Sequence, residues 1–161
     1  MKAWRGLTPE FSANRTVREY TEKYYLPAAV GYRKREASHG TLAQQIVHWR
    51  NAVADHWSKL HFGQVFSETV GDVHNFRVQV YLDDLEPDAV LVELYAQPRN
   101  GESPVRHPMD RHDRLIGSVN AFIYSAEVPS SRPADDYTPR IVPAFSDAQV
   151  PLEAKEILWQ R

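Results

Sequence analysis

Between Arg106 and Arg114 the order Arg-His-Pro-Met-Asp-Arg-His-Asp-Arg puts two imidazoles and two carboxylates close together. These are the donor types that ligate a divalent metal. Arg106, Arg111 and Arg114 stand among them, and each nearby cation raises the cost of placing a metal there. The segment therefore reads as a solvated loop between strands. Asp83, Asp84, Glu86 and Asp88 offer oxygens suited to calcium, but without the alternating ligands and central Gly of an EF-hand loop. They read as a turn-rich connector. Arg33-Lys34-Arg35 is a candidate anion-binding corner, and it also suits a helix end, where cations complement the dipole. His48, His56, His61 and His74 have no evident acid or nucleophile partner in the sequence. Tyr81 and Tyr95 lie on the more polar sides of alternating segments, which makes them the candidates for stacking on a sugar ring.

No familiar catalytic motif is present. The chain has no Gly-rich phosphate loop, no G-x-S-x-G, no H-E-x-x-H and no C-x-x-C. With no cysteine it lacks a thiolate nucleophile and a disulfide framework, which suits a reducing compartment. No catalytic residue, metal site or bound cofactor is expected within these 161 residues. A formal charge of −2 offers no electrostatic footprint for nucleic acid or an anionic membrane. The start, Met1-Lys2-Ala3-Trp4-Arg5-Gly6, lacks the apolar run of a signal peptide, and no stretch is apolar enough to cross a bilayer. Cytoplasm is the expected location.

The elements that must position these residues change character near residue 61. Leu42, Ile46, Trp49, Val53, Trp57 and Leu60 form a continuous helical stripe, which predicts a helix near 41–60 starting at Thr41 or His39-Gly40. Trp49 and Trp57 should be buried along it. An earlier helix is predicted over about 13–25, with Ser12 as N-cap, an Arg15–Glu19 pair and a face of Val17, Tyr20 and Tyr24. Leu26-Pro27 should break or restart it, with a short piece to about Arg35. Beyond residue 61 the period is two. Strands are predicted over 76–82, 90–97 and 119–128, with weaker candidates at 62–70 and 157–159. A further strand at 137–142 contains Pro139 and ends at Pro143, which favours an edge. The predicted fold is α+β, with N-terminal helices packed on an antiparallel, immunoglobulin-like β-sandwich of five to seven strands. The predicted segments are 1–61, helical, and 62–161, the β-sandwich.

Phe11-Ser12-Ala13-Asn14-Arg15-Thr16-Val17-Arg18-Glu19-Tyr20 resembles the pattern F-[NS]-x-x-R-[MT]-[VI]-x-x-Y that closes the catalytic domain of α-glucan phosphorylases. Tyr24-Tyr25-Leu26-Pro27-Ala28, the stretch from Leu82 to Tyr95 and Tyr137 to Pro143 resemble the C-terminal extension of the bacterial and archaeal branch. The resemblance implies a parent enzyme that cleaves α-1,4-glucan with phosphate, releasing glucose 1-phosphate, and holds pyridoxal phosphate on a lysine in a Gly-Asn-Met-Lys context. Lys2, Lys23, Lys34, Lys59 and Lys155 all lack that context, so no catalytic or cofactor role carries over. The chain then reads as a non-catalytic C-terminal domain of such an enzyme, either glucan-binding, with Tyr81 and Tyr95 as candidates, or a docking and stability module. Its expected partners are the rest of the parent, α-glucan or a second copy in a homodimer. The alternative is a stand-alone β-sandwich binding or scaffold protein without enzyme activity. If the first helices normally dock elsewhere, the isolated chain should expose Val17, Tyr20 and Tyr24 or bury them in a dimer.

Overall fold

In a computed structural model, residues 13–99 and 101–161 are described. Phe11 and the expected N-cap Ser12 lie outside the described residues, as does Asn100 in the predicted turn after the second strand. The chain divides into two compact units, residues up to Ile46 and Val47–Arg161.

Helix α1, Ala13–Tyr20, carries the Arg15–Glu19 pair, with Arg15 Nε 2.8 Å from Glu19 Oε1. A wide helical turn, Thr21–Tyr25, links it to α2, Leu26–His56. Pro27 therefore does not stop the helix. A proline cannot donate to the carbonyl four residues back and its ring crowds that carbonyl, and a locally widened turn relieves both demands. The true interruption comes at Ala37–Gly40, where Ser38, His39 and Gly40 have φ of 52°, 57° and 77°. Thr41 Oγ1 then donates to Ser38 O at 2.6 Å, so helix restarts where His39-Gly40-Thr41 suggests.

In the second unit the predicted stripe acts as a buried face. Trp49 and Val53 are buried, and Trp49 Nε1 donates to the Ala89 carbonyl at 3.0 Å. Its ring lies 5.6 Å from that of Phe145. Trp57 is only half-buried, because the α-helix ends at His56 and a tight turn over Trp57–Lys59 takes its ring off the stripe.

Among the described residues eight strands follow: β1 His61–Val70, β2 Val73–Tyr81, β3 Val90–Ala96, β4 Val105–Pro108, β5 Asp110–Arg114, β6 Ala121–Pro129, β7 Tyr137–Pro143 and β8 Leu158–Trp159. They form two four-stranded antiparallel sheets, ordered β1-β2-β6-β5 and β4-β3-β7-β8. This corrects the expected five to seven. The segment 106–114, read as a loop, is β4 and β5, one strand in each sheet, joined at the buried Met109. Met109 N donates to Val92 O at 2.9 Å. Periodicity is blind to β5 because every residue in it is exposed.

β7 is also not an edge, since β3 and β8 pair on its two sides. Pro139 O accepts from Gln160 N at 3.0 Å. In an antiparallel strand the N–H and C=O of one residue point the same way, so the donor that Pro139 lacks faces the short β8 and leaves the β3 ladder intact. The inward rows, Phe76, Val78 and Val80 on β2 and Val90, Val92, Leu94 and Ala96 on β3, are buried. Phe76 meets Tyr137 across the sheets at 5.8 Å between rings, so both inward faces feed one core.

The outward side of the second sheet buries a charge. Glu93, 1% exposed, accepts from Arg140 Nε at 2.7 Å and from Arg106 Nε at 3.1 Å. The Arg140 guanidinium lies 4.2 Å from the Tyr95 ring centre and 5.0 Å from that of Trp159. Breaking a buried pair strands its partner. Arg140→Ala is therefore expected to destabilise the fold by about 3 kcal/mol or more. Urea unfolding followed by tryptophan fluorescence measures this, and an unchanged midpoint would contradict it.

Candidate functional site

Tyr81 and Tyr95 are not brought together. Tyr81 lies on β2 in the first sheet and Tyr95 on β3 in the second. Tyr81 stacks on His61, with ring centres 4.5 Å apart and planes 7° apart. A β-bulge between Phe62 and Val65 sits beside it. A Cβ on Gly63 would lie 2.8 Å from Gln79 Oε1 and 2.9 Å from Tyr81 Cε2, so only glycine leaves room for both side chains. Tyr95 has Arg140 over one ring face and Trp159 against it at 5.3 Å, which makes it part of the closed ionic cluster.

The outward face that holds Tyr81 continues along β2 through Gln79, Arg77 and Asn75. The ladder aligns Phe66, Arg77 and Ser125 in one transverse row and Glu68, Asn75 and Glu127 in the next. Together they line a depression of about 480 Å³. Sequence reading missed this grouping, because it is made by register among three strands. The only local signal is polar alternation on β2 and β6.

A second cluster forms at the end of α2. His56 Nδ1 donates to Asp83 Oδ2 at 2.8 Å, and Lys59 Nζ donates to the same oxygen at 3.0 Å. His56 thus has an acid partner 27 residues away, contrary to the isolation read from the sequence. Asp83 adopts φ 53°, and Asn120 Nδ2 donates to the carbonyls of Asp83 and Leu85 at 2.7 and 2.9 Å. His56, Asp83 and Asp84 together could supply ligands to a metal ion, their ligand atoms all lying within 4.8 Å. The Lys59 ammonium already takes the place of a cation on Asp83. The cluster thus ties the helix end to the β2–β3 connector. His74, buried, is likewise structural: Thr69 Oγ1 lies 2.7 Å from its Nδ1, and its Nε2 donates to Arg132 O at 2.8 Å.

A Schiff base with pyridoxal phosphate needs a neutral lysine amine. Asp83 raises the pKa of Lys59 by hydrogen bonding and charge, the opposite of that requirement. Lys23 and Lys155 are exposed, and the sequence around each lysine lacks the Gly-Asn-Met-Lys context. Among the described residues, no helix is long and apolar enough to cross a membrane.

Residues 57–161 match the family described as the glycogen phosphorylase C-terminal domain. The chain is 25% identical over 126 residues to the maltodextrin phosphorylase of Thermococcus litoralis, covering 76% of this chain and 15% of that protein. It is 27% identical over 147 residues to the glycogen phosphorylase of Mycobacterium bovis, covering 85% of this chain and 17% of that protein. The glycogen phosphorylase of Mycobacterium tuberculosis matches with the same identity and coverage. The chain therefore spans less than a fifth of the length of these relatives.

Hydrogen bonds from His56 and Lys59 hold the Asp83 carboxyl down to about 2. A carboxyl depressed in the folded state adds stability above its unfolded pKa, about 3.9, and loses it as pH falls through the folded value. Asp83→Asn should lower stability at neutral pH. The gap from wild type should close as pH falls from about 4 toward 2. Urea midpoints across that range measure it, and a gap that widens on acidification would refute the assignment.

Proposed function

The chain belongs to the glycogen phosphorylase C-terminal domain family, and on that premise we propose that it is the non-catalytic docking end of an α-glucan phosphorylase polypeptide. The carrying observation is the helical unit's apolar surface. Val17, Tyr20, Tyr24, Tyr25, Leu26, Val30 and Tyr32 are all more than half exposed, from 55% to 67%. The rings of Tyr20 and Tyr24 lie 5.4 Å apart, so part of this surface is continuous. A monomer rarely leaves so many large apolar side chains in water, and a set this dense marks a surface built to be covered. The catalytic portion of the parent is the cover this reading assigns.

On this reading phosphorolysis and pyridoxal phosphate belong to that portion, and the polypeptide works in the cytoplasm. Residues 1–61, largely helical in their described part, are assigned as the closing segment, and residues 62–161 as a β domain whose two sheets make an immunoglobulin-like sandwich. The shared core around Phe76 and Tyr137 supports the sandwich. Tyr81, on the open face of the first sheet, is kept as a glucan contact. Tyr95, enclosed by Arg140 and Trp159, is assigned to stability.

The test is to purify the native polypeptide and measure its mass and its release of glucose 1-phosphate from maltoheptaose. A polypeptide several hundred residues longer and active is expected. Within it, Val17→Ser with Tyr24→Ser should weaken docking by about 3 kcal/mol or more, at roughly 1.5–3 kcal/mol per large apolar side chain, read as thermal destabilisation. A native product of only this chain, without phosphorolysis, would overturn the reading. A stable dimer that shields these tyrosines would assign the surface to a second copy.

A further inference from the structure

The two sheets differ in what their outward faces do. On the second sheet the charged groups are consumed by one another, with Glu93, Arg106 and Arg140 bonded and the aromatics packed against them. On the first sheet they are not. Among the described residues, the side chains of Glu68, Asn75, Arg77 and Glu127 have no hydrogen bond or ion pair. Opposite charges on neighbouring strands ordinarily pair. Here Arg77 lies diagonally from both Glu68 and Glu127 in the register and pairs with neither.

These groups surround a depression of about 480 Å³, within the range of small-ligand sites. Strands about 4.8 Å apart and a two-residue step of about 6.6 Å make the two rows a patch roughly 10 by 7 Å. Its rim carries Phe66, 54% exposed, on the edge strand β1. Ser125, in the Phe66 row, has its hydroxyl 2.5 Å from His112 Nε2, which fixes the β6 side of the patch.

We propose that this outward face of the first sheet is a binding site for a neutral α-glucan chain. Glu68 and Glu127 accept from sugar hydroxyls, Asn75 and Arg77 donate to them, and Phe66 presents an apolar ring for the face of a pyranose. Donors and acceptors arranged around a single aromatic suit a polyol, in which every hydroxyl both donates and accepts. The charges of the patch, two carboxylates against one guanidinium, disfavour a phosphate ester or free phosphate. The site rests on the phosphorylase reading for the identity of the glucan, and it is separate from the helical docking surface.

The experiment is a ¹⁵N NMR titration of the full 161-residue chain with maltoheptaose, with glucose 1-phosphate and inorganic phosphate as anionic probes. Shifts are expected at residues 66–68, 75–77 and 125–127, with little response to phosphate. Losing two hydrogen bonds in Asn75→Ala/Arg77→Ala should weaken binding about tenfold or more. Asn75→Gln should bind better than Asn75→Ala. Arg77 is exposed and Asn75 half-buried on the outward face, outside the core, and an unchanged spectrum elsewhere shows that the fold is kept.

No response to maltoheptaose, shifts confined to another face, or equal affinity in the double variant would overturn the site. Displacement of maltoheptaose by phosphate would overturn the assigned ligand class. Binding here by a chain whose native polypeptide lacks phosphorolysis would keep the site and sink the docking reading. An active native polypeptide whose C-terminal domain ignores maltoheptaose would do the reverse.

Discussion

A carboxylate removed from water must be met by a cation, and in this protein Glu93 sets that demand. Arg140, directly opposite Glu93 on the neighbouring strand β7, meets it, and Arg106 meets it from β4 on the other side. Tyr95 and Trp159 close over Arg140, which brings the short β8 and the C-terminal residues into the same cluster. Three strands and the chain terminus are thereby held in one register by a single buried charge. Such a pair is weak evidence for net stability, because desolvation offsets much of the attraction, but it penalises any other pairing.

Closing the second sheet in this way contrasts with the first, whose outward face leaves Glu68, Asn75, Arg77 and Glu127 without side-chain partners among the described residues. The same antiparallel architecture produces both results. A strand's side chains alternate between core and exterior, so the inward rows can be almost purely apolar while the outward rows carry whatever chemistry is needed. One exterior is spent on internal bonds among Glu93, Arg106, Arg140, Tyr95 and Trp159. The other retains a carboxylate, amide and guanidinium lattice beside Phe66 and Tyr81.

The helical unit follows a different rule. Its apolar residues lie at helical spacing, but among the described residues Val17, Tyr20, Tyr24 and Tyr32 remain largely exposed. In the second unit the same kind of spacing gives burial, as Trp49 and Val53 show. Helical periodicity thus identifies an apolar face without saying whether this chain covers it. In one segment the contact lies within this chain, at the Ala89 carbonyl and Phe145. In the other, Val17, Tyr20 and Tyr24 are left more than half exposed.

Local pattern was enough to place the Trp49 stripe, the alternation of β2, β3 and β6, and the restart near Thr41, because period and backbone preference are properties of neighbouring residues. The resemblance at Phe11 to Tyr20 and in the tail was also legible, and it pointed to the phosphorylases. Tertiary structure alone decided the rest. It paired His56 with Asp83, drew Arg140 to Glu93 and aligned Phe66, Arg77 and Ser125. It also made strands of the charge-rich 106–114 segment, where every outward residue hides the period. Each of these depends on which strands neighbour one another and in what register, and register is fixed by ladder bonds and core packing between residues far apart in sequence.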